Sequence, residues 1–197
     1  MRYDEDHKQR TREKVLSAAA RTIRAEGPDR VGVAAIMGEA GLTHGGFYAH
    51  FASKDEMIAE AVGKMFADAG DRRRHALKDR TPAEALRYYV RFYVSREHRD
   101  ERGLGCPLPA LATDVPRLPE AARKVFGEGV AVLTAGLAEM LEAIDWPRPE
   151  EAASALLSEM TGAVSLARSV ADPTQSDRIL LNARTEILRR LGLDVVR

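Results

Sequence analysis

Residues 41–51 read GLTHGGFYAHF, and Lys54 follows three positions later. The segment brings together a hydroxyl at Thr43, imidazoles at His44 and His50, a phenol at Tyr48 and the ammonium group of Lys54. Hydroxyls and lysines make positioning contacts to phosphates, and a histidine can donate to guanine or to a phosphate. Two adjacent glycines, Gly45 and Gly46, stand among these groups. Each interior glycine costs a helix about 1 kcal/mol relative to alanine. The compensation is that a residue without a side chain lets the backbone come close to whatever it faces.

Other chemistries find less support. The histidines are His7, His44, His50, His75 and His98, and none forms an i, i+4 pair with another ligand in a context that demands zinc. No glycine-rich phosphate loop follows a strand, and no Ser/His/Asp nucleophile arrangement is present. The sequence therefore offers no positive sign of an enzyme, a metal site or a cofactor. The single cysteine, Cys106, lies in GLGCPLP with His98, Arg99 and Arg102 nearby in sequence. Cations lower a thiol's pKa and would suit a redox or electrophile sensor. The plainer reading is a small apolar residue packing a bend.

Of 197 residues, 45% are hydrophobic and 30% charged, enough for a proper core and a solvated surface. Formal net charge is zero, which argues against coating nucleic acid through a large positive field but not against a local binding surface. No apolar run is long enough for a membrane span, and the charged N-terminus shows no secretory signal, so a cytoplasmic location is expected.

The elements that must position the 41–54 groups are helices. Apolar spacings of three and four, with no alternating strand-like run, point to an all-α chain of about nine helices. Residues 1–9 read as a disordered polar arm. Helices are predicted over 8–26, 33–40 and 44–50. Longer ones start at Ser53 and Thr81, each opening a capping box (S/T-x-x-E), and Thr43 is expected to cap the 44–50 segment. Further helices follow at 108–113, from 119, at 150–170 and at 176–191. Residues 33–51 thus read as helix, tight turn at Gly41-Leu42-Thr43, helix. That is a helix-turn-helix, whose second helix enters the major groove. Ile36, Ala40, Leu42 and Phe47 are spaced to hold its two helices together.

GLTHGGFYAHFASKDEM, preceded by TREKVLSAAARTIRAEG, resembles the DNA-binding domain of the TetR-type (tetracycline-repressor) family of bacterial transcriptional regulators. The resemblance covers roughly residues 10–60 and rests on Gly41, Leu42, Thr43, Phe47, Tyr48, His50, Phe51, Ser53, Lys54, Asp55 and Glu56 in register. Ile23, Gly32 and Gly38 depart from the family pattern. The resemblance implies a three-helix DNA-binding domain at 10–53 and a larger helical ligand-binding and dimerisation domain at 54–197. It implies phosphate contacts from Thr43, Tyr48, His50 and Lys54, with His44, Gly45 and Gly46 at the base edges. Arg10, Arg12 and Lys14 either reach flanking DNA or form a solvated helix face.

The resemblance also implies a repressor that binds a pseudo-palindromic operator as a homodimer and is released by a small molecule. A dimer supplies the base pairs that one helix-turn-helix cannot read. The last two long helices are the expected interface, because Ala152, Ala155, Ser158, Gly162, Ala163 and Ser165 allow close approach. Expected ligand-pocket residues are Tyr89, Phe92, Tyr93, Cys106, Leu108, Leu111, Phe126, Leu133, Met140 and Met160. Two alternatives stand beside this reading: a thiol-sensing regulator acting through Cys106, and a helical small-molecule-binding protein with no DNA role.

Overall fold

The computed structural model describes residues 2–194. Among them are nine α-helices and three short 3-10 helices, with no strand. The α-helices are α1 (Arg2–Glu26), α2 (Val33–Glu39), α3 (Lys54–Leu77), α4 (Pro82–Tyr93), α5 (Arg96–Asp100), α6 (Leu108–Leu111), α7 (Glu120–Glu142), α8 (Pro149–Ser169) and α9 (Pro173–Arg190). The all-α expectation holds.

The helix ends follow local chemistry. Gly27, at φ +88°, stops α1 in a left-handed conformation that costs glycine little. Thr81 accepts from the Glu84 amide while the Glu84 carboxylate accepts from the Thr81 amide, which completes the expected capping box with Pro82 at the first position. At α3 the box is shifted. Ser53 Oγ accepts from the Glu56 amide, but the Glu56 carboxylate takes the amide of Ala52.

Some boundaries differ from expectation. Residues 2–9, expected as a disordered arm, continue α1 as helix; Met1 lies outside the described residues. This stretch has no apolar face to reveal a helix by periodicity. Its helical bonding does extend to side chains: Thr11 Oγ1 donates to the His7 carbonyl at 2.8 Å and Arg10 Nε to that of Asp6 at 3.1 Å. Helix α9 begins at Pro173, three residues before the predicted start at Ser176. ADP reads as a breaker, yet Pro173 occupies a first-turn position where its missing N–H costs nothing, and Asp172 caps the helix by accepting from the Thr174 amide.

The chain packs as two compact units. The first comprises Met1–Ala67 and Arg102–Gly129, the second Asp68–Glu101 and Val130–Arg197. In the first, Val15, Ala19, Ala20 and Ile23 of α1 are fully buried together with Ile36, Met37, Phe47, Phe51 and Met57. The turn at 102–105 is clamped to α1: the buried Arg24 donates to the carbonyls of Gly103 at 2.7 Å and Gly105 at 3.4 Å. Phe66 and Phe126 meet edge to face at 5.3 Å in the same unit. A Cβ at Gly129 would lie 2.3 Å from the Phe66 ring, so α7 passes α3 there only because that residue is glycine.

In the second unit α8 and α9 pair lengthwise through Ala153, Leu156, Leu157, Met160, Val164, Leu180 and Ile187. Short α5 is lashed to them. Arg99 donates to Ser176 Oγ and to Asp177, both at 2.8 Å. Arg168 donates to the carbonyls of His98 at 2.7 Å and Arg99 at 3.0 Å. His98 is buried, with Nδ1–H donating to the Tyr93 carbonyl at 2.6 Å. Burial, offset partly by that bond and reinforced by the charges of Arg168 and Arg72, pushes its pKa down to about 4.

Candidate nucleic-acid interface

The interface is built on the turn after α2. Gly41 has φ +75°; its amide donates to the Gly38 carbonyl at 3.0 Å, and the Leu42 amide to the Met37 carbonyl at 2.8 Å. These two bonds form a Schellman motif, which needs a left-handed residue at Gly41's position and so explains the glycine. The chain then reverses through Leu42 and Thr43 into a 3-10 helix, His44–Ala49. Ile36, Met37 and Phe47 seal the joint between the two helices, each at most 1% exposed. Ala40 and Leu42, expected to share that role, are half-buried, and Met37 carries more of it than its spacing suggested.

The recognition segment differs from expectation in two respects. It is wound as a 3-10 rather than an α-helix, and Thr43 makes no side-chain cap bond. The Thr43 carbonyl accepts the Gly46 amide at 3.0 Å, so the first turn closes through the backbone. The Thr43 hydroxyl is therefore not committed to the helix end and stands exposed.

Thr43, His44, Gly45 and Tyr48 are exposed, Tyr48 at 73%, and Lys54 and His50 are half-buried. Phe47 and Phe51 turn inward and stack at 5.5 Å, and the Tyr48 ring stands edge-on to Phe47 at 5.2 Å. The two glycines differ. A Cβ on Gly45 would meet nothing within 4 Å, whereas one on Gly46 would lie 3.6 Å from the Met37 methyl. Gly45 opens outward, while Gly46 faces α2.

His50 ends the segment. Its Nδ1 is buried without a hydrogen-bond partner. A hydrogen there would be an orphaned donor, so the neutral ring is favoured with its N–H at Nε2. Burial, then the charges of Lys8 and Arg12, lower its pKa.

Arg12 belongs to the scaffold. Its Nε donates to the His50 carbonyl at 3.2 Å, its Nη2 pairs with Glu60, and its guanidinium lies 4.8 Å from the centre of the Phe51 ring. One side chain thus joins α1, the end of the recognition segment and α3, which sets it apart from Arg10 and Lys14. Those two, with Arg21, line an open cleft of about 560 Å³ along α1.

The ligand candidates divide between the units. Tyr89, Phe92, Tyr93, Leu133, Met140 and Met160 lie in the second, and Cys106, Leu108, Leu111 and Phe126 in the first. All are buried except the half-buried Phe92. Tyr93 Oη and Thr161 Oγ1 share a hydrogen bond at 3.0 Å. Cys106 is 4% exposed, the setting of a packing residue rather than of a reactive thiolate. Among the described residues no group of His, Cys, Asp or Glu is placed to hold a metal ion, and no helix is long and apolar enough to cross a membrane.

Comparison with known proteins agrees with this geometry. Residues 15–61 match the family model for bacterial regulatory proteins of the tetR family. The HTH-type transcriptional regulator YxaF of Bacillus subtilis (strain 168) is 29% identical over 137 residues, spanning 66% of this chain and 71% of YxaF. The fold is similar to that of reduced E. coli NemR, with TM-score 0.78 at 21% identity over 91% of this chain and 96% of that one. A TetR-family regulator from Agrobacterium tumefaciens gives TM-score 0.78 at 21% identity over 93% and 98%. With the buried-aromatic joint, the Schellman turn and the exposed donor face all inside the matched segment, residues 15–61 are a helix-turn-helix DNA-binding domain of the tetR family of bacterial regulatory proteins, carried on a chain with the fold of TetR-type regulators.

Proposed function

We propose that this regulator is a repressor that binds a pseudo-palindromic operator as a homodimer and leaves it when a small molecule binds. The observation that carries the DNA-binding part is the two-sided recognition segment: Phe47 and Phe51 are sealed inward while Thr43, His44, Gly45 and Tyr48 face outward. Thr43, Tyr48, His50 and Lys54 grip phosphates, and His44 and Gly45 lie against base edges. Gly46 supports the segment from behind by leaving room for Met37. Arg10 and Lys14 extend the grip to flanking phosphates, while Arg12 holds the segment in place.

The dimer forms through α8 and α9. Leu166 and Leu181 are 60% and 51% exposed, and Ala155, Ser158 and Gly162 share the outer side of α8 with Leu166. Ala163 is buried within the subunit instead. Functionally, residues 10–53 hold the DNA contacts and residues 54–197 the ligand and dimer functions, and the protein works in the cytoplasm. The effector enters the apolar interior among Tyr89, Phe92, Tyr93, Leu133 and Met160. It must bind the DNA-incompetent arrangement more tightly, because equal affinity would shift nothing.

The test is selection of bound sequences from a random duplex library, followed by salt titration of the winner. The reading expects an inverted repeat with half-sites about one or two turns apart and affinity that falls steeply with salt. Failure to enrich any sequence overturns it.

A further inference from the structure

Glu60 takes no part in the contacts assigned to DNA, yet it stands behind them. It lies on α3, beyond Lys54, and its carboxylate pairs with Arg12 Nη2. The neighbouring donor of the same guanidinium edge, Nε, is given to the His50 carbonyl at 3.2 Å. The face of the group lies 4.8 Å from the centre of the buried Phe51 ring. Glu56, one turn earlier on α3, is taken up by the Ala52 amide, so Glu60 is the carboxylate that holds Arg12. All these residues belong to the first unit.

The hold matters because the pair is at the surface. The side chains of Arg12 and Glu60 are 26% and 31% exposed, open enough for a phosphate to compete. The edge that Arg12 gives to Glu60 and His50 is the one with which arginine grips a phosphate in two parallel bonds. A duplex offers closely spaced phosphates, and His50, whose carbonyl Arg12 holds, is itself assigned to one of them. The guanidinium therefore has two destinations. Leaving for the DNA would free the last residue of the recognition segment and uncover one side of Phe51. It would gain a contact that carries no sequence information.

We propose that Glu60 is a specificity-determining residue that does not touch DNA: by holding Arg12 on the His50 carbonyl, it keeps one arginine off the phosphates and the recognition segment fixed for base readout. This rests on the DNA-binding reading above and extends it to the α3 residue that restrains the interface. Without the Glu60 charge, Arg12 turns to the backbone, and the protein gains affinity for any duplex while losing discrimination.

The experiment is a fluorescence anisotropy titration of the full chain against the selected duplex and an unrelated one, over roughly 50–200 mM salt. Glu60→Gln keeps the shape and removes the charge. On the unrelated duplex its slope of log affinity against log salt should be steeper than wild type's by about 1, the signature of one added phosphate contact. Its ratio of selected to unrelated affinity should fall. Adding Arg12→Met should return the slope to the wild-type value. Glu60→Asp, with the charge drawn back by one methylene, should lie between wild type and Glu60→Gln. An unchanged slope in Glu60→Gln overturns the proposal. So does a steeper slope that persists in the double variant, which would belong to the lost Glu60 charge itself. If circular dichroism shows Glu60→Gln unfolded, an unchanged slope in Glu60→Asp overturns the proposal instead. A wild type that binds neither duplex overturns the DNA-binding reading and this proposal together, whereas wild-type binding with no change in the variants removes the proposal alone.

Discussion

At the scale of single residues, the two glycines of GLTHGGFYAHF separate into different roles. Gly45 opens to empty space, so Gly45→Val should fold as wild type and lower operator affinity at least about tenfold, the cost of standing the backbone off the bases. Wild-type affinity in a fluorescence anisotropy titration would show that close approach is not its purpose. Gly46→Val would press branched methyls toward Met37, so its loss of binding should come with a lower melting temperature. The cations likewise divide into two kinds. Lys54→Met should reduce the slope of log affinity against log salt by about 1, the signature of one lost phosphate contact. Arg12→Met should leave that slope unchanged while lowering stability by about 1–3 kcal/mol, because its hydrogen bond, ion pair and ring contact all lie within the protein. A reduced slope for Arg12→Met would place it on the DNA.

At the scale of elements, the lashing of α5 onto α8 and α9 predicts acid sensitivity. Unfolded, the His98 ring takes its proton near pH 6.5; folded, it does so only near about 4. The unfolded chain therefore binds the extra proton across that window, and stability is lost as pH falls from about 6.5 to about 4. The complete shift corresponds to about 3 kcal/mol. His98→Asn keeps an N–H for the Tyr93 carbonyl without a titrating ring. Comparing its urea midpoint at pH 7 and pH 4.5 with that of wild type should show a clearly smaller fall, and an equal fall would assign the acid sensitivity elsewhere. Helix existence was readable from apolar spacing, as in Leu86, Tyr89, Val90 and Tyr93 of α4, all buried. The first turns of α1 were not, because a polar helix has no periodicity to read. Nor was the 3-10 winding of His44–Ala49, since the same residues fit either helix and the backbone bond from Gly46 to Thr43 decides between them.

At the scale of the whole molecule, the outer side of α8 and α9 carries the assembly prediction. Leu166→Arg or Leu181→Arg places a charge where the proposed four-helix interface would bury it, yet each position is exposed in the single chain. Either variant should keep full helicity by circular dichroism, sediment as a monomer and lose operator binding. A variant that remains dimeric would move the interface to another face. The sequence by itself determined the all-α class, the helix-turn-helix and the family, because these rest on local signals: apolar spacing, the glycine that a left-handed turn requires, and capping boxes within four residues. Tertiary structure alone decided which of several identical side chains does what. Arg12 is a strut and Arg10 is not; Gly46 backs onto Met37 and Gly45 onto nothing; Arg73 pairs with Glu139 of another helix while Arg74 pairs with Asp71 of its own. Those distinctions depend on partners far away in the chain, such as Glu60 for Arg12 and Glu139 for Arg73, and local spacing carries no record of them.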